Sequence, residues 1–267
     1  MSAPTDPLSC LAPGSLSGRV GLVTGGGSGI GRATALALAR LGAQVVVLGR
    51  RPEALAETQS LAPAGSPPIG AIPTDVREFE QVDAALDRIL EDHGRIDLLV
   101  NNAGGQFLAP AETVSPNGFR AVTRLNLDAT WYLTTRVAAR TMIPNGYGKV
   151  ASVTMTPRRG IPYMAHSSAA RAAVESLTQT LAVEWGQYGI RLVAVAPGIV
   201  HTPAWEGYGL DPEAVGASML LKRLQTPDEV AAIIAFCLSP AGDYITGTTI
   251  AADGGWDLTG PFPALPD

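Results

Sequence analysis

Short β-branched runs alternate along the chain with longer segments whose apolar residues recur every three or four positions. VGLVT (20–24) precedes a helical pattern over 29–42, and QVVVLG (44–49) precedes 51–61, where a proline suits a first helical turn. IGAIPTD (69–75) leads into 77–94, an amphipathic stretch that ends on glycine. IDLLVNNAG (96–104) is followed by a helical stretch reaching about Pro144, then GKVASVT (148–154) and a helix over about 164–186. IRLVAVAPG (190–198), a Pro/Gly-rich insertion over 199–226, a Thr-capped helix from 226 to 239 and a last strand in TGTTIAADGG (246–255) complete the pattern.

Strands alternating with helices of this length predict βαβ units. The expected fold class is α/β: a single Rossmann-type, doubly wound parallel sheet flanked by helices on both faces. Residues 1–17 read as a flexible N-terminal segment and 18–267 as one dinucleotide-binding and catalytic domain. The insertion at about 199–226 reads as a substrate lid, with Trp205 and Tyr208 in it.

The 267 residues are 46% hydrophobic and 16% charged, with a net charge of −5, which argues against nucleic acid or an anionic membrane surface as partner. Lys149 and Lys222 are the only lysines. Cys10 and Cys237 stand alone without metal-ligand spacing, so neither a disulfide nor a metal is expected. With no signal-peptide pattern, no membrane-length apolar run and no C-terminal address, a cytoplasmic location is expected.

TGGGSGIG (24–31) follows a strand and opens a helix. Glycines there allow a tight turn and let backbone approach a pyrophosphate at the helix N-terminus. Gly25, Gly27, Ser28, Gly29, Ile30 and Gly31 are the candidate contacts; a tight β–α connection is the plain alternative. At the end of the second strand, where an acid would hold a ribose 2′-hydroxyl, the chain has Arg50 and Arg51. A guanidinium can bond a 2′-phosphate in a forked geometry, so NADP(H) is the favoured cofactor. A solvated pair of arginines at a helix start is the alternative.

TGGGSGIG, NNAG (101–104), LN (125–126), APG (196–198) and TP (202–203), in that order, resemble the short-chain dehydrogenase/reductase family over about residues 18–256. The resemblance implies that Asp75 and Val76 lie by an adenine, that Asn102, Ala103 and Gly104 line the cofactor, and that Pro197, Gly198, Val200 and Thr202 contact its nicotinamide end. NNAGGQFLAPAE, HSSAARAAV and AVEWGQYGIR are similar to the peroxisomal trans-2-enoyl-CoA reductases and, more distantly, to the 2,4-dienoyl-CoA reductases. That subgroup reduces an activated C=C with NADPH and suggests a homotetramer, with the 116–142 and 164–186 helices pairing across subunits.

The family's usual catalytic set is Ser, Tyr thirteen residues later and Lys four after that, with an Asn from an earlier helix. Tyr163 invites reading as the tyrosine, yet its partner four residues on is Ser167. RAAVESLT sets the register instead: Arg171 takes the Lys position, Ser167 the Tyr position and Thr154 the Ser position, while Asn126 is retained. A serine hydroxyl is a far weaker acid than a phenol of pKa ~10, and arginine does not relay a proton. Carbonyl reduction then lacks general acid catalysis worth roughly 10²–10⁴ in rate.

Hydride addition to an enoyl thioester asks less, because hydroxyls such as Thr154 and Ser167 can stabilise the enolate oxygen. The expected function is therefore an NADPH-dependent enoyl-thioester reductase acting in fatty acid metabolism. The alternatives are a carbonyl reductase with Tyr163 as displaced acid, and a redox-inactive NADP-binding sensor. His166 is either a helix-start residue without a role or a proton donor to the product enolate. Arg158 and Arg159 are either CoA-phosphate ligands or a solvated loop pair.

Overall fold

A computed structural model of the chain describes residues 6–156, 160–203 and 211–258. Seven parallel strands form one sheet in the order β3-β2-β1-β4-β5-β6-β7, where β1 is Val20–Thr24, β2 Gln44–Gly49, β3 Gly70–Pro73, β4 Leu98–Asn101, β5 Gly148–Val153, β6 Ile190–Pro197 and β7 Thr248–Ala252. The doubly wound sheet is the one expected from the strand–helix alternation.

Alternation within the strands builds two cores, because successive side chains point to opposite faces. Val23, Val45, Val47 and Val100 pack with α1 (Gly29–Arg40) and α9 (Pro227–Leu238). Leu22, Val46, Leu48 and Leu99 pack on the other face with α3 (Phe79–His93), α5 (Ala129–Val137) and α7 (Ala165–Trp185). The α2 helix (Pro52–Ser60) adds Leu55 to the first core. Residues 6–17 lie against this layer: Leu16 is buried, and Asp6 pairs with Arg40 at 2.5 Å.

The stretch expected as one long helix is a rod of α4 (Pro116–Thr123), α5 and α6 (Ile143–Asn145) joined by π turns at Arg124–Asp128 and Ala138–Met142. Ser115 starts it by accepting from the Gly118 N–H at 3.0 Å. A π turn inserts one extra residue and re-aims the side chains it carries. Asn126 sits in the first.

At the far end of the sheet, Lys149 is buried and donates to the carbonyls of Ser239 (2.5 Å) and Cys237 (3.4 Å) while pairing with Asp243 at 2.6 Å. It thereby satisfies carbonyls at the C-terminal end of α9 that the helix leaves open. Within 199–226, α8 (Pro212–Ser218) is formed, and a parallel bridge between Val200 and Gln225 closes the segment at its base.

Candidate active site

β1 and β4 are neighbours while their following helices lie on opposite faces, so a crevice opens beyond their C-terminal ends, where open α/β sheets bind ligands. The glycine turn forms its floor. Gly25 has φ +66°, and a Cβ on Gly31 would collide with the Gly25 carbonyl and lie 2.5 Å from Asn102 Nδ2. Only glycine permits that approach.

The turn is clamped by side chains of α1 and α2. Arg32 Nη2 donates to the Gly27 carbonyl at 2.6 Å, its other nitrogens bond Glu57 and Thr58, and Thr58 Oγ1 donates to the Gly26 carbonyl at 2.8 Å. Ser28, the N-cap of α1, makes no side-chain capping bond. The first-turn N–H groups of Gly29, Ile30 and Gly31 therefore keep their capacity for an anion.

Arg50 and Arg51 are exposed at the end of β2. Asp75 is held by Arg77, whose Nη2 donates to Oδ2 at 2.5 Å. The Arg77 hydrogen bond holds this carboxyl below its usual range, and Arg50 lowers it further. Val76 beside it is buried. Thr24 Oγ1 accepts from the N–H groups of Asn102 (3.0 Å) and Ala103 (2.9 Å), and Asn102 Nδ2 donates to the Thr24 carbonyl at 2.9 Å. Asn102 thus fastens β4 to the glycine turn.

Three of the expected catalytic residues converge on the next two glycines. Asn126 accepts from the Gly105 N–H at 3.0 Å, donates to its carbonyl at 3.1 Å and donates to Ser167 Oγ at 3.4 Å. Ser167 is buried, and its Oγ lies 3.8 Å from the Met155 thioether. Arg171, one turn further along α7, packs against Gly104 and donates from Nη1 to the Val153 carbonyl at 2.6 Å. It makes no ion pair among the described residues, and burial pushes its pKa down to about 10.

Thr154 does not join this group. Its hydroxyl lies 3.3 Å from Glu175 Oε1 and 3.5 Å from the Val195 carbonyl. Tyr163 stands apart as well: its side chain is 60% exposed, its φ is +68°, and its carbonyl accepts from the Ala109 N–H at 3.0 Å. A tyrosine in the left-handed region is an outlier, held there by that contact.

The last wall is 197–202. The Pro197 carbonyl accepts from the Thr156 N–H and hydroxyl, both at 3.1 Å, and Gly198 N–H donates to Gln225 Oε1 at 3.2 Å. A Cβ on Gly29 would come within 3.2 Å of the Thr202 methyl, so this segment reaches the glycine turn.

Sequence reasoning missed Met155 against Ser167, Glu175 on Thr154, Gln225 beneath Gly198 and Phe107 against His166. Glu175 alone carried a signal, since it follows Arg171 by four positions and Ser167 by eight on one helix face. Arg158, Arg159, Trp205 and Tyr208 lie outside the described residues. No helix among the described residues is long and apolar enough to cross a membrane, and no group of His, Cys, Asp and Glu among them could hold a metal.

Comparison with known proteins agrees with this architecture. The family model described as enoyl-(acyl carrier protein) reductase matches residues 25–257. A probable 2,4-dienoyl-CoA reductase of Bacillus subtilis is 38% identical over 248 residues, 91% of this chain and 97% of that one. A peroxisomal 2,4-dienoyl-CoA reductase of Danio rerio is 36% identical over 93% of this chain and 84% of its own. Among solved structures, a citronellol catabolism dehydrogenase of Pseudomonas aeruginosa aligns with a TM-score of 0.83 at 39% identity, covering 94% of this chain and 99% of that one. Levodione reductase aligns with a TM-score of 0.86 at 33% identity, over 91% and 99%. With the strand order, the glycine turn and the Asn126–Ser167–Arg171 cluster, these likenesses show that the chain is an oxidoreductase-type member of the short-chain dehydrogenase/reductase family, similar to the 2,4-dienoyl-CoA reductases.

Proposed function

We propose that the protein is an NADPH-dependent reductase of the activated C=C of a 2-enoyl thioester. The observation that carries this reading is the cluster around Gly104 and Gly105, where Asn126 positions a buried serine hydroxyl; the register of RAAVESLT assigns that serine to the family's phenol position.

The residues present fit a phosphorylated dinucleotide. The glycine cradle leaves no room for a Cβ at Gly31, α1 starts without a side-chain cap, and two exposed guanidiniums stand at the end of β2. The N–H groups of 29–31 would hold the pyrophosphate, Arg50 and Arg51 the 2′-phosphate, and Asp75 and Val76 the adenine side. Arg171, Pro197, Gly198, Val200 and Thr202 would hold the nicotinamide end. When bound, the cofactor supplies a hydride to the β-carbon.

This chain's residues then deal with charge. Asn126 Nδ2 donates to Ser167 Oγ, so the serine hydrogen is left to donate. Its present neighbour, a thioether at 3.8 Å, is a weak acceptor, and a thioester oxygen gaining enolate charge is a far better one. A buried donor of this kind contributes about 10²–10³ in rate. The proton at the α-carbon comes from solvent. Arg171 keeps a fixed positive charge beside Gly104, which neither accepts nor relays a proton at neutral pH. The exposed position of Tyr163 weighs against a displaced-acid carbonyl reductase.

The test follows NADPH consumption with trans-2-butenoyl-CoA, trans,trans-2,4-hexadienoyl-CoA and acetoacetyl-CoA. Oxidation with an unsaturated thioester, reduced tenfold or more in Ser167→Ala and unchanged in Tyr163→Phe, supports the reading. Consumption only with the ketone, lost in Tyr163→Phe, sinks it. We also propose a cytoplasmic homotetramer paired through α5 and α7, a reading supported by the shallow apolar groove of Leu127, Trp131, Ala173 and Leu177 between them. Light scattering of the purified protein tests it.

A further inference from the structure

His166 immediately precedes Ser167 and is as deeply buried. Its Nδ1 accepts from the Ser167 backbone N–H at 2.7 Å. A ring nitrogen that accepts carries no proton, so a neutral imidazole must hold its hydrogen on Nε2. Burial lowers the His166 pKa, which keeps the ring neutral at working pH. Nε2 is nevertheless buried with no hydrogen-bond partner among the described residues. Leaving a buried donor unmatched costs about 1–3 kcal/mol, and folded proteins seldom do so without a reason.

What covers the ring is also informative. Phe107 meets it edge to face, with centroids 4.3 Å apart at 70°, yet Phe107 is itself 40% exposed. Phe107 belongs to the segment following NNAG, which is pinned at Gly105 by Asn126 and at Ala109 by the Tyr163 carbonyl. A half-exposed ring, held on both sides of its own loop, thus packs directly on the buried imidazole.

We propose that the Nε2–H of neutral His166 is a second hydrogen-bond donor to the thioester carbonyl oxygen, uncovered when Phe107 turns aside for the acyl group. This rests on the enoyl-thioester reading. As hydride joins the β-carbon, the C=C electron pair moves to form the enolate, whose oxygen takes hydrogen bonds from Ser167 and His166. The α-carbon then takes a proton from solvent, the carbonyl re-forms, and His166 retains its own proton throughout. His166 is thus an electrophilic donor and not the acid that protonates the product.

The experiment compares wild type, His166→Gln and His166→Met with trans-2-butenoyl-CoA and NADPH, reading kcat, KM, NADPH affinity and the melting temperature. Glutamine keeps an N–H donor at similar length and methionine does not. The expected result is a 30-fold or greater loss of kcat in H166M and less than tenfold in H166Q, with NADPH affinity and melting temperature unchanged. In wild type labelled with ¹⁵N-histidine, the Nε2–H resonance of His166 should shift on saturation with butanoyl-CoA, a measurement that does not depend on any variant folding. Turnover in H166M within threefold of wild type, or an unmoved resonance, overturns the inference while leaving the enoyl reductase reading intact. Wild type that consumes NADPH with neither unsaturated thioester overturns both.

Discussion

The guanidinium of Arg171 occupies the space that a side chain at Gly104 would need, and Asn126 Oδ1 lies 3.1 Å from the same point. Residues 67 positions apart are thus locked together. Gly104→Ala should push Arg171 away, which overpacking places at about 1–3 kcal/mol. The expected outcome is a folded protein whose NADPH affinity falls tenfold or more, read by quenching of cofactor fluorescence.

Removing Arg171 should separate stability from function. Its pKa, pushed down in the fold to about 10 by burial, means that the cation costs stability at every pH below about 10, roughly 3 kcal/mol at neutral pH. Arg171→Met recovers part of that cost, less the hydrogen bond to Val153. The cofactor-free variant should melt a few degrees higher than wild type, about 2–4 °C per kcal/mol at this chain length. It should also lose most of the stabilisation that wild type gains from NADPH. A lower melting temperature in calorimetry would show that the guanidinium is structural.

Arg50 and Arg51 should decide between cofactors. Hydrogen bonds to a charged phosphate contribute about 1.5–3 kcal/mol. The double change Arg50→Ala with Arg51→Ala should raise KM for NADPH roughly 10- to 100-fold and leave KM for NADH within a few-fold. Equal effects on both would remove these residues from the 2′-phosphate.

Acid should loosen the fold through identifiable pairs. The Arg77 hydrogen bond lowers the Asp75 pKa, and the Lys149 hydrogen bond lowers that of Asp243. A carboxyl depressed in the fold stabilises it fully above the unfolded value of 3.8 and ceases to do so as pH falls through the folded value. Urea unfolding should show steady stability above pH ~5 and a decline below pH ~4. Asp243→Asn should shrink that decline and lower stability at pH 7, because Lys149 remains buried with only carbonyls as partners. A decline of unchanged size would exclude the pair.

Much of the candidate site is legible in the chain itself. RAAVESLT sets Ser167 and Arg171 by counting along α7, and LN supplies Asn126. The three meet at Gly104–Gly105 because four-residue spacing puts Ser167 and Arg171 on one helix face. The same register includes Thr154, yet its hydroxyl faces Glu175 and Val195. Register along a strand gives a position but not the direction in which a small hydroxyl turns. Apolar spacing predicts a regular helix up to Pro144, whereas π turns interrupt it, and one of them aims Asn126 at Gly105. Such spacing does not distinguish one inserted residue from ordinary drift.

The sequence by itself determined the parallel sheet, the two-sided core, the glycine turn and the order of the family motifs. These follow from period-2 and period-3.6 patterning and from where glycine alone can go, both local properties of the chain. Tertiary structure decided what each polar atom faces: which ring nitrogen of His166 is occupied, which ring packs on it, and that Tyr163 is exposed while Ser167 is buried. Those depend on partners such as Phe107 and Ala109, more than fifty positions away, whose approach is set by packing across the sheet and not by neighbours in the chain.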